Sequence, residues 1–172
     1  MLVFQYGSNM SSARLNDSRR LNGAASIVGV VSTVETFDFG FTVHSTGNNC
    51  AAADIVASPN GRTIFGVLYD IPDELVTRQS AKSVGRKSLD AIEGEGGNYK
   101  RITIDVRDSD HNRISASTYV VRIRHSNLIT SLEYAQHIVD GLKEHVFPKE
   151  YCEYVIEQIE RCNPQLKGLL TV

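Results

Sequence analysis

The sequence has few cysteines, and their placement excludes several kinds of site. Cys50, Cys152 and Cys162 are odd in number and far apart, which argues against a disulfide framework and favours a reducing compartment. The cysteines also lack the spacing of metal ligands, and His137 and His145 have no carboxylate pattern between them. We therefore expect no metal site and a cytoplasmic location.

Long apolar runs and concentrated positive charge are also missing. No apolar run approaches the length of a membrane span, and the N-terminus shows no basic region followed by a long apolar core. We therefore expect neither contact with a membrane nor a signal peptide. The formal net charge is −2 and the basic pairs are short, which disfavours a nucleic-acid partner.

The composition that remains is that of an ordinary globular protein. The chain has 172 residues, of which 41% are hydrophobic, and this is enough for a sizeable core. We find no internal repeat, no low-complexity linker and no domain boundary. The sequence therefore predicts a single domain that spans residues 1–172.

Strand patterns dominate the first two-thirds of the chain. Short apolar or alternating runs predict strands over residues 2–4, 26–31, 37–43, 50–57, 63–69, 100–106 and 115–121. The turn at residues 58–61 predicts a hairpin between the fourth and fifth of these strands, and the polar link at 108–112 predicts a second hairpin. The aromatic side chains of residues 37–43 are expected in the core.

Helical patterns occupy the middle and the end of the chain. Residues 72–93 predict a helical region in one or two pieces, which the glycines from Gly94 onward end. Apolar stripes predict a helix that begins near residue 131 and another that begins at Pro148. Together the patterns predict an α+β fold, with a mixed sheet that can close into a barrel and helices packed against it.

The chain is organised around the turn at Gly7-Ser8-Asn9. An apolar strand stops there, and Ser11 then offers a cap for a helix. Because Gly7 has no side chain to shield the backbone, N–H groups at this turn are open to an anion. On residue types alone, a plain strand-to-helix turn is the better explanation of the segment, because such turns are common.

Glu93 is the second candidate for chemistry. It lies at the end of a predicted helix, where a carboxylate meets the negative end of the helix dipole. Such local conflicts are found at functional positions, but taken alone Glu93 is better explained as a solvated surface glutamate. Glu95 lies two residues further on, so a small error in alignment would transfer the role to it.

Both segments resemble the gamma-glutamylcyclotransferase superfamily. Tyr6-Gly7-Ser8-Asn9-Met10 resembles its tyrosine-glycine-serine-asparagine-(leucine or methionine) signature. Leu89-Asp90, Glu93-Gly94 and Tyr99 resemble its leucine-aspartate, glutamate-glycine and tyrosine pattern. The similarity extends in the expected order through residues 58–69, 117–119 and 141–151, while the loop at 42–49 departs from the family's more glycine-rich segment.

The resemblance implies a fold and a role for each matched residue. The fold is a small mixed β-barrel flanked by helices, and Glu93 is the catalytic general acid/base. The residues expected to bind substrate are those of the turn and two tyrosines whose hydroxyls face the substrate: Tyr6, Gly7, Ser8, Asn9, Met10, Tyr99 and Tyr119. Tyr6 leads into the turn and is expected to be structural as well.

The implied reaction releases 5-oxoproline from a small γ-glutamyl amino acid, peptide or amine, and it requires no metal or organic cofactor. The alternative is a non-catalytic module of the same fold that binds a γ-glutamyl group or a small anion. The two hypotheses differ in one structural expectation. In the enzyme, the Glu93 carboxylate faces the Gly7-Ser8-Asn9 turn in a shared pocket. The sequence assigns no oligomeric state.

Overall fold

The computed structural model describes residues 1–171 and is built around a closed barrel. The strands are β1 (Leu2–Gln5), β2 (Ser26–Ser45), β3 (Cys50–Ala57), β4 (Arg62–Asp70), β5 (Tyr99–Arg107) and β6 (Arg113–Val121). Around the barrel the order is β2, β4, β1, β6, β5, and β5 pairs back with β2. Strands β1 and β6 are parallel and the other pairs are antiparallel, which confirms the predicted small mixed barrel.

Strand β2 joins the barrel to an added strand outside it. The two strands predicted over 26–31 and 37–43 are one strand of 20 residues. Its first half pairs with β4 and its second half pairs with β3. Shifts in register between Ser32 and Thr36 let the strand bend away from the barrel.

The predicted hairpin between β3 and β4 is wrong. Both strands pair with β2, one on each side, and not with each other. The turn between them instead crosses the backbone of β2. A Cβ atom on Gly61 would lie 2.5 Å from the carbonyl carbon of Phe37, so this crossing needs glycine. The second predicted hairpin, between β5 and β6, is confirmed.

The barrel interior and the helix faces form one apolar core. Phe37, Phe39 and Phe41 are buried, as their alternation predicts, and the rings of Phe39 and Phe41 meet edge to face at 5.7 Å. The largest fully buried side chains come from strands and helices alike: Tyr69, Phe4, Met10, Leu15, Leu21, Ile55, Ile64, Leu68, Ile71, Leu89, Ile138 and Leu142.

The helices are short except at the C-terminal end. They are α1 (Ser12–Leu15), α2 (Arg78–Ser83), α3 (Leu89–Glu93), α4 (Leu132–Glu144) and α5 (Lys149–Cys162). The helical region at 72–93 is divided into a 3-10 turn, α2 and α3, and Gly85, with a φ of +65°, lies in the break between α2 and α3. Gly94, with a φ of +72°, ends α3 as predicted. Within residues 1–171, no helix combines the length and the apolar character needed to cross a bilayer.

Helix α4 packs directly on the turn that follows β1. A Cβ atom on Gly141 would lie 2.6 Å from the Met10 Cβ and 2.9 Å from the Met10 carbonyl carbon. We expect Gly141→Ala to lower the free energy of unfolding by about 1–3 kcal/mol, because overpacking outweighs the better helix propensity of alanine. Urea unfolding measures the effect.

Gly29→Ala is the matched control for this prediction. A Cβ atom there would meet nothing within 4 Å, so we expect little change in the urea midpoint. Equal losses in the two variants would mean that close packing at Gly141 is not the cause.

Candidate active site

A small cavity lies where β1 ends, between the following turn and helices α3 and α4. Its volume is about 30 Å³. The lining residues come from six separate segments of the chain: Gln5, Tyr6, Gly7, Ser8, Asn9, Ala53, Glu93, Tyr99, Thr118, Tyr119 and Tyr134. The structure therefore brings Gly7-Ser8-Asn9, Glu93 and the three predicted tyrosines to one place.

The Glu93 carboxylate faces the turn and not bulk solvent. Its Oε1 accepts hydrogen bonds of 2.8 Å from the Gln5 Nε2 and 2.8 Å from the Asn9 Nδ2. Oε2 accepts none from residues 1–171. The residue as a whole is partly exposed, but its carboxyl end is enclosed. One oxygen is thus held in place and the other is open to exchange a proton.

Burial raises the pKa of Glu93 above the ordinary value of 4.5. The hydrogen bond from Asn9, the charge of Arg20 and the hydrogen bond from Gln5 act in the opposite direction, as does the charge of Arg14. Burial disfavours the charged form, while donors and nearby cations favour it. Burial is the largest of these effects, so the pKa lies above the ordinary value, which makes the carboxylate a stronger base.

Asn9 connects Glu93 to a cation. Its Oδ1 accepts a hydrogen bond of 2.6 Å from the Arg20 guanidinium. An amide whose oxygen is held by arginine must turn its NH₂ group the other way, and here that group donates to Glu93. Arg20 therefore fixes the orientation in which Asn9 holds the carboxylate.

The turn presents backbone donors beside this carboxylate. Residues Ser8–Met10 form a single 3-10 turn that closes with a 3.0 Å bond from the Met10 N–H to the Gly7 carbonyl. Among the described residues, the N–H groups of Gly7, Ser8 and Asn9 donate to no other group. A Cβ atom on Gly7 would lie 3.3 Å from the Ala53 Cβ, so two small residues let the turn approach β3.

The three predicted tyrosines line the cavity with their hydroxyls bonded to the protein. Tyr6 donates to the Tyr119 carbonyl at 2.7 Å, Tyr99 to the Ala53 carbonyl at 2.8 Å, and Tyr119 to the Asp90 Oδ1 at 2.7 Å. Burial raises the pKa of each above its ordinary value. They therefore act as neutral groups, and their contact with substrate stays a prediction.

Two other residues from the sequence analysis lie outside the cavity lining. Met10 is fully buried, and its carbonyl accepts a hydrogen bond of 2.8 Å from the Tyr69 hydroxyl. It holds the turn on the core. The Glu95 carboxylate lies 3.5 Å from the Arg78 guanidinium on the surface. Of the two neighbouring glutamates, the cavity therefore contains only Glu93.

Four lining residues were missed by sequence reasoning: Gln5, Ala53, Thr118 and Tyr134. A polar Gln5 at the end of an apolar strand is a usable signal, and so is the hydroxyl of Tyr134 within the apolar stripe of α4. The Tyr134 hydroxyl accepts a 3.1 Å bond from the Ala53 N–H. Within residues 1–171, no three His, Cys, Asp or Glu side chains are grouped as metal ligands.

Comparison with solved structures agrees with this architecture. An uncharacterized protein from Homo sapiens has a TM-score of 0.73 and 26% identity, over 90% of this chain and 85% of that one. A structure described as a gamma-glutamyl cyclotransferase has a TM-score of 0.73 and 25% identity, over the same shares. YkqA from Bacillus subtilis, at 24% identity and a TM-score of 0.72, is matched over 93% of this chain and 54% of its own.

Sequence comparison gives the family. No curated protein sequence matches the chain. The sequence model of the AIG2-like family matches residues 63–155, a segment that contains all but the first residue of β4 and the whole of α2, α3, β5, β6 and α4. This match covers more than half of the chain and includes Glu93. The chain belongs to the AIG2-like family, within the gamma-glutamylcyclotransferase-like superfamily.

Proposed function

We propose that this protein is a cyclotransferase that releases 5-oxoproline from a γ-glutamyl compound. The observation that carries the proposal is the position of the Glu93 carboxylate, which shares one cavity with the backbone donors of the Gly7-Ser8-Asn9 turn. A proton-exchanging group opposite a set of fixed donors is the arrangement that acyl transfer requires. Similarity to a gamma-glutamyl cyclotransferase structure supports the choice of acyl group.

The γ-glutamyl group carries its own nucleophile. Its α-amine attacks the γ-carbonyl carbon, a C–N bond closes a five-membered ring, and the original amide C–N bond breaks. The products are 5-oxoproline and a free amine, so no water is consumed. Holding the chain in the folded conformer supplies much of the rate, since good intramolecular geometry removes roughly 7–11 kcal/mol of barrier.

Glu93 moves the proton in this reaction. The substrate amine is protonated in water, so a base must first take its proton, and the carboxylate does so through Oε2 while Gln5 and Asn9 hold Oε1. The protonated Glu93 then donates to the departing nitrogen, and the regenerated carboxylate takes the second proton that the ring nitrogen must lose and passes it to the released amine. The raised pKa serves the first transfer, because it makes the carboxylate a stronger base than an ordinary glutamate, and the neutral acid that forms then keeps the proton until the nitrogen departs.

The N–H groups of the turn bind the negative charge of the substrate. They suit either the α-carboxylate of the glutamyl group or the oxygen that becomes negative as the amine attacks. A volume of about 30 Å³ holds only one or two water molecules. We therefore expect the lining to widen when the γ-glutamyl group enters.

A substrate panel tests the proposal. The protein is incubated with γ-glutamyl dipeptides, γ-glutamyl amines and glutathione, and 5-oxoproline release is measured. Release from any member supports the proposal, and the best member identifies the substrate class. With no release, saturable binding of 5-oxoproline points to a specialised substrate outside the panel, and no binding favours the non-catalytic module.

The pH dependence of kcat/KM gives a separate prediction. Glu93 is a base only when ionised, so the rate falls as pH falls through its pKa, with a midpoint above 4.5. Asn9→Ala removes a hydrogen bond that favours the charged form of Glu93, so the pKa of Glu93 rises further in this variant. We expect the acidic limb of the variant to lie at higher pH than that of the wild type. If the acidic limbs of the variant and the wild type coincide, ionisation of Glu93 does not cause the loss of rate at low pH.

A further inference from the structure

The three predicted tyrosines of the cavity donate their hydroxyl protons to acceptors within the protein. Tyr6 and Tyr99 donate to backbone carbonyls, whereas Tyr119 donates to a carboxylate, the Oδ1 of Asp90, at 2.7 Å. A tyrosine hydroxyl has one proton to donate and lone pairs that accept. While its bond to Asp90 holds, Tyr119 can therefore act toward a ligand only as a hydrogen-bond acceptor.

Asp90 is a buried carboxylate, 5% exposed, that two neighbouring strands hold in place. Its Oδ1 atom also accepts a bond of 3.0 Å from the Arg101 guanidinium. Arg101 lies directly opposite Tyr119 in the pairing of β5 with β6. A rotation of the Asp90 side chain that releases Tyr119 would therefore break the ion pair with Arg101 as well.

Stability alone does not explain a carboxylate at this position. A buried ion pair contributes little net stability, because the loss of hydration offsets the attraction between the charges. A backbone carbonyl can accept from a tyrosine hydroxyl equally well, as Tyr6 and Tyr99 show. The carboxylate adds charge, since a charge-assisted hydrogen bond is roughly twice as strong as a neutral one. Such a bond polarises the O–H group and makes the Tyr119 oxygen a stronger acceptor.

The helix that carries Asp90 also carries Glu93. The two residues lie three positions apart in α3, a spacing that makes them neighbours on a helix surface. Burial is the main cause that raises the pKa of Tyr119, and the bond to Asp90 and the charge of Glu93 raise it further. Both Tyr119 and Glu93 line the cavity. An amine that reaches Glu93 is therefore close to the Tyr119 hydroxyl.

We propose that Asp90 is a positioning residue that acts through Tyr119, by holding the hydroxyl so that its oxygen accepts an N–H of the substrate α-amine. This inference rests on the proposed cyclotransferase function. The protonated amine has three N–H groups, and Glu93 takes one of their protons before the attack. A second N–H bonded to Tyr119 restricts rotation of the amine, so that the freed lone pair points at the γ-carbonyl carbon. Asp90 and Tyr119 form no covalent bond and keep their protonation states.

A double-mutant cycle tests this role. The kcat/KM for 5-oxoproline release is measured for Tyr119→Phe, for Asp90→Asn and for the double variant. We expect Tyr119→Phe to lower kcat/KM by about 10- to 100-fold, the effect of one hydrogen bond to a charged group. Asp90→Asn keeps an acceptor oxygen without the charge, so we expect a loss of about 3- to 10-fold. In the double variant the loss should equal that of Tyr119→Phe alone.

The cycle separates this role from a purely structural one. If Asp90 served only to hold α3, Asp90→Asn would lower kcat/KM by the same factor whether or not the Tyr119 hydroxyl is present. Such additive losses, or no loss in Asp90→Asn, would overturn the inference and leave the cyclotransferase proposal intact. An unchanged kcat/KM in Tyr119→Phe would overturn it whatever Asp90→Asn shows.

Asp105→Asn is the matched control. It makes the same chemical change on β5, in a side chain that is 36% exposed and paired with Arg113 on the surface. Its kcat/KM should equal that of the wild type. Urea unfolding of each variant shows whether it is folded under the conditions of the assay.

If no compound of the panel releases 5-oxoproline, calorimetric binding replaces the rate. The two ligands are γ-glutamyl-alanine and glutaryl-alanine, which has the same chain without the α-amine. Tighter binding of γ-glutamyl-alanine by the wild type, with the difference reduced in both Tyr119→Phe and Asp90→Asn, would support the contact independently of the reaction. Equal binding of the two ligands, or none, would overturn it.

Discussion

Replacing Glu93 with glutamine is expected to lower the rate of 5-oxoproline release by about 10²–10⁴-fold, the usual contribution of a general acid/base. Glu93→Gln keeps the length of the side chain and an oxygen that can accept from Gln5 and Asn9. It removes the atom that takes and returns the proton. The loss should therefore appear in kcat more than in KM. Steady-state kinetics on the best substrate of the panel measure it.

Glu95→Gln is the matched control for this variant. It makes the same chemical change two residues away, in a side chain that lies outside the cavity near Arg78. We expect its kcat to stay close to that of the wild type. A large loss of activity in Glu95→Gln, with activity retained in Glu93→Gln, would show that Glu95 transfers the proton and that the assignment to Glu93 is wrong.

Loss of Arg124 is expected to have the largest effect on stability. Its Nε lies 2.5 Å from the Oδ2 of Asp54, a carboxylate with 0% exposure. Asp54 also accepts from the Thr42 hydroxyl at 2.9 Å and from the Val121 N–H at 3.1 Å. Arg124→Met leaves this buried charge without its cation, which typically costs about 3–5 kcal/mol. Because Arg124 is 39% exposed, water can approach, and we expect about 3 kcal/mol.

An exposed ion pair of the same length provides the control. Arg113 and Asp105 are also 2.5 Å apart, but their side chains are 66% and 36% exposed. Pairs of this kind contribute about 0–1 kcal/mol, so Arg113→Met should scarcely change the urea midpoint. Similar losses in both variants would mean that burial of Asp54 is not what makes Arg124 important.

Local sequence patterns predicted most elements but not how they pair. The alternation in 37–43 and the turn at 108–112 depend on neighbours in the chain, and the structure has these elements. The pairing of β3 depends on how far β2 continues past the barrel. The residues of the 58–61 turn carry no information about the length of β2. The hairpin was therefore the natural prediction from local signals, and it was wrong.

The candidate site shows the same division. The turn and Glu93 were recognised because each carries its signal within a few residues. Gln5 and Glu93, by contrast, are 88 positions apart in the chain, and the bond between them follows only from closure of the barrel. Arg20 lay in a segment that gave no pattern beyond a short basic pair. Its role depends on the position of Asn9, which only the fold provides.

Closure of the barrel also determines when such a cavity can first exist during synthesis. The ring is completed by β1 with β6 and by β2 with β5, through contacts such as Val3 with Ser117 and Ser32 with Arg107. Contacts so distant along the chain form slowly, because loop entropy must be lost before they are gained. A nascent chain on the ribosome therefore carries the turn and Glu93 for many residues before Tyr134 emerges to complete the wall. We therefore expect the ability to bind substrate to appear in a single late step of synthesis and not to increase gradually.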